Sequence, residues 1–159
     1  MKLNVRIADI NNWHDLVSLS VDKSQLDYIE SNALSIAESK FITAWVPVGI
    51  YDENSLIGFA MYGRLEDDRV WLDRFMIDSK YQGKGYGKAS LDFLVNHLKN
   101  EYNCDELYLS IFEDNKMAIK LYKDFGFEFN GELDYGGEKV KARRQISVRC
   151  IFYGSLRQV

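Results

Sequence analysis

Three glycines alternate with other residues at positions 83, 85 and 87, between an apolar stretch and an amphipathic one. The apolar stretch, residues 70–77, is typical of a buried strand, and the apolar residues at 91, 94, 95 and 98 have the spacing of a helix. Glycines between a strand and a helix let the backbone turn tightly and direct several N–H groups at one point. The N-terminus of a helix adds partial positive charge there. The segment therefore predicts a strand–loop–helix unit that binds phosphate or pyrophosphate, the alternative being a turn that only caps the helix.

The spacing of the glycines narrows the class of phosphate ligand that the loop is expected to bind. A P-loop requires G-x-x-x-x-G-K-[ST], and here Gly87-Lys88 is followed by Ala89. A dinucleotide fingerprint requires G-x-G-x-x-G early in a βαβ unit, which this loop does not match. What remains is [QR]-x-x-G-x-[GA], which Gln82, Gly85 and Gly87 satisfy. This pattern resembles the acetyl-CoA pyrophosphate loop of the GNAT N-acetyltransferase superfamily.

A second motif lies some 35 residues further along. Residues 115–127 read N-x-x-A-x-x-L-Y-x-x-x-G-F, and Gly126 is placed to end a helix in a left-handed conformation. Tyr122 is interpreted either as a core tyrosine or as a general acid for a departing thiolate, for which a phenol with a pKa near 10 is suited. The pair of motifs is similar to the two GNAT signatures. The resemblance implies that Asn115 contacts the cofactor and that Tyr122 is the acid.

Blocks outside these motifs are similar to the bacterial spermine/spermidine N-acetyltransferases of Bacillus type, the diamine branch of GNAT. The likeness covers about residues 3–141 and is carried by these segments: 25–31, 47–49, 58–63, 71–75 and 130–134. It implies transfer of acetyl from acetyl-CoA to a polyamine by direct attack in a ternary complex. It also implies that the edge of β-strand residues Phe75, Met76 and Ile77 pairs with the pantetheine amides. The pyrophosphate is held by the main-chain N–H groups of Gly83, Lys84, Gly85, Tyr86, Gly87 and Lys88, and Gln82 is a further cofactor-binding residue by the same resemblance.

Asp73 is a carboxylate in an otherwise apolar strand. With Trp71, Phe75 and Ile77 it alternates along one face, and a buried carboxylate needs partners. One interpretation is an ion pair, for example with an arginine. The other is a general base, acting through water, because an amine is nucleophilic only when neutral. Related polyamine acetyltransferases have an acidic residue at this strand position.

Acceptor binding is assigned to acidic and aromatic residues where GNAT proteins bind their acceptors. An extended polycation requires carboxylates along a groove, with aromatic walls for its methylenes. The predicted substrate residues are Asp27, Tyr28, Glu30, Glu132 and Asp134. Each alone is better interpreted as a solvated charge than as a ligand, and it is the set as a whole that supports acceptor binding.

Charge is distributed unevenly along the chain. Residues 139–159 have six basic residues and no acid, which leaves 14 basic and 24 acidic residues in 1–138, a net charge of −10. This balance disfavours nucleic acid and suits a cationic substrate, although ordinary solubility explains it equally well. The basic tail is compatible with a last strand, a dimer element or residues foreign to the family, so a homodimer is left open.

Composition restricts the setting of the protein. No apolar run reaches the roughly 18 residues of a membrane span, and Cys104 and Cys150 form no spaced pattern. We expect reduced thiols, a cytoplasmic location and no membrane association. The two histidines are far apart, so no metal site is expected.

The order of predicted elements is βααβββαβαββ. The helices are predicted from Asp9 or Asn11 through Val21, over Ser24–Glu38, from the glycine loop to about Asn100, and over Asn115–Phe125. Pro47 predicts an edge strand or a bulge. Residues 135–138 predict a hairpin turn before a last strand within 139–153. The fold class is α/β, a single domain over 1–159, with a mixed, mostly antiparallel sheet of about seven strands and about four helices, as in the GNAT fold.

Two alternatives to a polyamine acetyltransferase remain open. One is a GNAT enzyme for another amine, such as a peptide N-terminus or an aminoglycoside. The other is a non-catalytic acetyl-CoA sensor, which keeps the glycine loop without chemistry. The presence of Tyr122 and Asp73 favours an enzyme.

Overall fold

A computed structural model describes residues 1–134 and 143–149, with side chains described for 1–132. The strands are β1 Leu3–Ile7, β2 Val46–Asp52, β3 Ser55–Arg64, β4 Val70–Ile77, β5 Glu106–Ile111, β6 Glu128–Asp134 and β7 Arg143–Arg149. The α-helices are α1 Trp13–Ser18, α2 Asn32–Glu38, α3 Tyr86–Tyr102 and α4 Lys116–Asp124. Two short 3₁₀ helices cover Lys23–Tyr28 and Ser79–Tyr81.

The seven strands form one sheet in the order β1-β2-β3-β4-β5-β7-β6. The pairing of β4 with β5 is parallel, and the other pairs are antiparallel. The α/β class and the mixed, mostly antiparallel sheet are therefore confirmed. The predicted hairpin turn at 135–138 lies outside the described residues, and β7 falls within the range given for the last strand.

The core has two parts, one on each face of the sheet. One face packs against α3, through the apolar stripe that its sequence predicts, and against Tyr122 of α4. The other face packs against Leu16 of α1 and includes Phe59, Met61, Trp71 and Met76. Burial of apolar side chains on both faces stabilises the sheet between two helical layers.

The single helix predicted over 24–38 is wrong. The segment divides at Ile29, which is extended, and α2 begins only after Ser31, whose hydroxyl accepts a hydrogen bond from the Leu34 N–H at 3.2 Å. Asp22 caps the first piece in the same way, through the Ser24 N–H. Two local capping signals thus break one apolar pattern into two short helices.

Of the two alternatives predicted from Pro47, the edge strand is wrong, since β2 lies between β1 and β3, and the bulge of β2 lies at Ile50 and Tyr51 rather than at Pro47. The Pro47 carbonyl accepts a hydrogen bond from the Ala8 N–H at 2.9 Å, just beyond the last paired residue of β1. The nitrogen of Pro47 faces the same side, where β1 has ended. The missing N–H therefore removes no bond from the sheet.

No helix in the described part of the chain is both long and apolar enough to cross a membrane.

Candidate active site

The parallel strands β4 and β5 separate after a short contact. They pair only through Val70 with Leu107 and Trp71 with Tyr108. Beyond these pairs a cavity of about 360 Å³ lies between the strands, within the size range of small-ligand sites. Its walls come from β4, the end of β5, the glycine loop, α4 and the segment 25–30. The separation of β4 and β5 therefore forms a site within the sheet, where most of the predicted functional segments meet.

The glycine loop has the backbone shape that the sequence predicts. Gly83 has a φ of 72° and Gly85 a φ of 84°, a left-handed conformation that favours glycine. The first hydrogen bond of α3 runs from the Ala89 N–H to the Gly85 carbonyl at 3.1 Å. The N–H groups of residues 86–88 precede it, as at any helix start. They form a donor array beside the cavity, which Gly83 and Gly87 line. Their contact with pyrophosphate stays a prediction.

Gly87 is different from the other two glycines of the loop. It is helical, with no positive φ, and a Cβ built on it meets no atom within 4 Å. Neither strain nor crowding in the protein itself therefore requires glycine at this position. The space in front of Gly87 is available to a ligand.

The side chains of the loop are engaged by the protein. The Gln82 amide donates to the Ile77 carbonyl at 2.9 Å and to the Gln25 side-chain oxygen at 2.8 Å. The Lys84 ammonium donates to the Lys80 carbonyl at 2.7 Å, and the Tyr86 hydroxyl donates to Asp52 at 2.8 Å. Gln82 thus braces the loop against the end of β4. The loop offers a ligand mainly its backbone, while the Lys88 side chain is exposed.

The outer edge of β4 is open next to the cavity. Phe75, Met76 and Ile77 pair with β3 on one side. On the other side, no strand in the described part of the chain pairs with β4 beyond Trp71. Apart from the Ile77 carbonyl, which accepts the hydrogen bond from Gln82, backbone groups of this segment that point away from β3 are therefore open to the amides of an extended ligand.

Tyr122 lies in the cavity wall on α4. Asn115 positions this helix, because its side-chain oxygen accepts a hydrogen bond from the Ala118 N–H at 3.2 Å. The Tyr122 ring packs edge-on against Phe127, with the centroids 5.5 Å apart. Burial raises the pKa of Tyr122 well above its usual range. The hydroxyl is therefore protonated, as a general acid must be, but it is a weaker acid than the sequence argument assumes.

Asp73 is the extra residue of a β-bulge. Met61 pairs with Arg74 and Tyr62 with Leu72, so the strand register between β3 and β4 skips Asp73. The bulge reverses the alternation of β4: Trp71 packs on the α1 face, whereas Phe75 packs on the α3 face. The predicted common face for Asp73, Trp71, Phe75 and Ile77 is therefore wrong. Asp73 still lines the cavity and forms an ion pair with Arg74, the first of the two interpretations.

Two of the five predicted acceptor residues reach the cavity. Tyr28 and Glu30 line it, and the Tyr28 ring lies 6.0 Å from that of Phe112 across the cleft. Asp27 is exposed outside its wall. Glu132 instead forms a two-bond ion pair with Arg69 at 2.5 and 2.9 Å, and this pair holds the pKa of Glu132 below its usual range. Asp134 ends β6, and its side chain lies outside the described part.

Sequence reasoning missed Arg74 and Glu38. Arg74 is only 8% exposed, and its guanidinium contacts Glu30, Glu38 and Asp73. The one signal was local: two adjacent charges, Asp73 and Arg74, in a strand that is otherwise apolar. In a regular strand, adjacent residues point to opposite faces of the sheet. The alternating pattern therefore could not reveal the bulge that allows both Asp73 and Arg74 to line the cavity.

Comparisons with known proteins agree with this geometry. Residues 8–127 match the model of the acetyltransferase (GNAT) family. The chain is 48% identical to a spermine/spermidine N(1)-acetyltransferase of Bacillus subtilis over 150 residues, which cover 90% of this chain and 99% of the relative.

Solved structures share the fold. A spermidine N-acetyltransferase of Vibrio cholerae, in complex with CoA and spermine, aligns with a TM-score of 0.71 at 19% identity, over 93% of this chain and 95% of that one. The ribosomal-protein-S18-alanine N-acetyltransferase of Escherichia coli aligns with a TM-score of 0.65 at 16% identity, over 92% and 93%. The fold therefore serves acceptors of different kinds, and the resemblance seen in the sequence motifs is confirmed at the level of the family. This chain belongs to the GNAT acetyltransferase family.

Proposed function

We propose that this protein transfers the acetyl group of acetyl-CoA to a primary amine of a polyamine such as spermine or spermidine, by direct attack in a ternary complex. One observation carries the proposal. A single cavity is lined at once by the glycine loop, by Tyr122 and by the carboxylates of Glu30 and Asp73. Donor site, acid and cation-binding groups are thus next to each other.

The residues present suit acetyl-CoA. The N–H groups at the start of α3 and the open space at Gly87 suit the pyrophosphate. The open edge at Phe75, Met76 and Ile77 suits the pantetheine amides. Asn115 lines the cavity close to this edge and is a further contact. Acetyl-CoA supplies the acetyl group as a thioester, which an amine can attack.

Asp73 and Tyr122 divide the proton transfers. Asp73 accepts a proton from the acceptor ammonium, through water, so that the nitrogen lone pair is available to form the new C–N bond. Tyr122 donates its proton to the sulfur as the C–S bond breaks. The nitrogen, which carries an extra proton once the C–N bond has formed, loses it as the amide forms, and this proton restores the Tyr122 hydroxyl through solvent. The products are the N-acetyl amine and the thiol of CoA, and the proton held by Asp73 passes to solvent. Burial weakens the acidity of Tyr122, but a thiolate formed in the same cavity is also destabilised by burial, which favours the transfer.

The acceptor is assigned from charge and from the relatives. Residues 1–138 have a net charge of −10, which attracts polycations. Glu30 offers a carboxylate in the cavity wall, and Tyr28 with Phe112 offers aromatic surface for methylenes. The likeness to a spermine/spermidine N(1)-acetyltransferase over nearly the whole of both chains supports the same choice.

The proposal includes a cytoplasmic location, which the two unspaced cysteines of the sequence favour. It leaves open a homodimer in which the basic tail 139–159 takes part. Light scattering of the purified full chain gives the mass of the assembly directly.

Thiol release from acetyl-CoA tests the function. We expect release with spermidine and spermine well above the rate without amine, and a product heavier by one acetyl group in mass spectrometry. Release with a peptide N-terminus but not with polyamines would assign the enzyme to another amine. Binding of acetyl-CoA without release, whatever amine is added, would identify a sensor.

A further inference from the structure

Arg74 is a permanent cation inside the protein. The bulge at Asp73 turns its side chain toward the face of α1 and α2, where it is 8% exposed. A guanidinium this buried requires partners that compensate for lost hydration. Its surroundings therefore show what it is for.

Three carboxylates from three different elements surround Arg74. Its Nε lies 3.0 Å from Glu30, which follows the first 3₁₀ helix, and its Nη2 lies 3.4 Å from Glu38 at the end of α2. Its Nη1 contacts Asp73 of β4. A planar guanidinium with five N–H donors can serve three carboxylates at once, whereas a lysine ammonium is a single point charge.

The members of this cluster differ in their access to the cavity. Asp73, Arg74 and Glu30 line it, and Glu38 does not. Carboxylates gathered around one guanidinium repel one another, so without the shared cation they would move apart. The contact that connects Glu38 to the cavity residues is its ion pair with the guanidinium.

We propose that Arg74, braced from behind by Glu38, is a positioning residue that holds the carboxylates of Asp73 and Glu30 in place for the acceptor amine. The inference rests on the proposed function, because it gives those carboxylates their task. Arg74 and Glu38 neither donate nor accept the protons of the reaction. They determine the positions of the two carboxylates that bind the acceptor cation and accept its proton.

Glu38→Gln is the first test, because it keeps the shape of a side chain that is one-third exposed and outside the cavity. We expect kcat/KM for spermidine to fall by about three- to tenfold, with the Kd of acetyl-CoA and the melting temperature nearly unchanged. Arg74→Lys keeps the positive charge but loses the planar, forked guanidinium. We expect kcat/KM for spermidine to fall by about 10- to 100-fold, as for other misplaced catalytic groups. Arg64→Lys is the matched control, since Arg64 pairs with Asp68 away from the cavity and should leave kcat/KM unchanged.

A double-variant cycle separates positioning from a structural role. If Glu38 acts through the cavity carboxylates, Glu38→Gln should have no further effect on kcat/KM once Asp73→Asn and Glu30→Gln are present. Wild-type kcat/KM in a folded Glu38→Gln protein, or an equal loss in the Asp73/Glu30 background, would overturn the inference. A wild-type protein inactive with every polyamine would instead overturn the proposed function, and the inference with it.

Discussion

Replacing Gly87 with alanine separates the binding of acetyl-CoA from the stability of the protein. Gly87 is helical, and the added methyl group has no neighbour within 4 Å. Every Cβ in a helix tilts toward the N-terminus, so this methyl group would occupy space in front of the first N–H groups of α3. The variant should therefore fold normally and obstruct the approach of the phosphates.

The geometry at Gly87 gives the direction of the effects on stability and on acetyl-CoA affinity, and general magnitudes give their size. Gly-to-Ala changes at unstrained positions stabilise proteins by about 0.4–1 kcal/mol, which raises the melting temperature of a chain of this length by roughly 1–4 °C. A hydrogen bond to a charged group contributes about 1.5–3 kcal/mol. Loss of one such bond to pyrophosphate weakens acetyl-CoA binding by about ten- to a hundredfold.

Calorimetric titration with acetyl-CoA and a melting curve measure the two effects on the same sample. Gly85→Ala is the contrasting variant, because at a φ of 84° a side chain is strained, and it should melt earlier as well as bind worse. If Gly87→Ala binds acetyl-CoA as tightly as the wild type, the phosphates do not lie at this helix end and the assignment of the loop is wrong.

Three further predictions concern the cavity itself. Tyr122→Phe should lower kcat by about 10²-fold, the lower end for a general acid, and leave acetyl-CoA affinity unchanged; full activity would make Tyr122 a core residue only. Asp73→Asn should lower kcat/KM for polyamines near neutral pH and recover partly at higher pH, where more of the amine is neutral. A pH–rate profile of wild-type shape in an early-melting Asp73→Asn protein would refute the catalytic role. Glu30→Gln should raise KM for spermine several-fold with acetyl-CoA affinity unchanged, and added salt should raise the wild-type KM similarly; salt-insensitive kinetics would contradict an acidic site.

Local signals in the sequence were enough to predict the glycine loop and the helix α4. The spacing of Gln82, Gly85 and Gly87 identifies the loop, and the pattern around Tyr122 identifies the second helix. Each pattern depends on residues that are close together in the sequence. The structure has the loop and the helix α4 at the predicted places. The three glycines are not equivalent, since Gly83 and Gly85 have a positive φ whereas Gly87 is helical.

The bulge at Asp73 and the ion pairs of Arg74 could not be predicted from local patterns in the sequence. A bulge at Asp73 depends on the register between β3 and β4, and alternation along one strand cannot reveal it. The pairing of Arg74 with Glu30 and Glu38 joins residues 36 to 44 positions apart, so no short window contains it. Glu132 shows the converse, since an acidic residue in a family-like segment is bound by Arg69 of a distant turn.

The short contact between β4 and β5 also has a consequence for how the protein is expected to move. Among the residues that the structure describes, two residue pairs link the part of the sheet formed by β1–β4 to the part formed by β5–β7, and α3 bridges them from one face. Such a seam is where a sheet breathes most readily, and its amide protons should exchange with solvent early. In the proposed binding mode, an extended donor along the open edge of β4 would take the place of a missing strand and close the seam. The cosubstrate would then be a temporary part of the architecture, and its departure after each turnover would leave the two parts free to separate again.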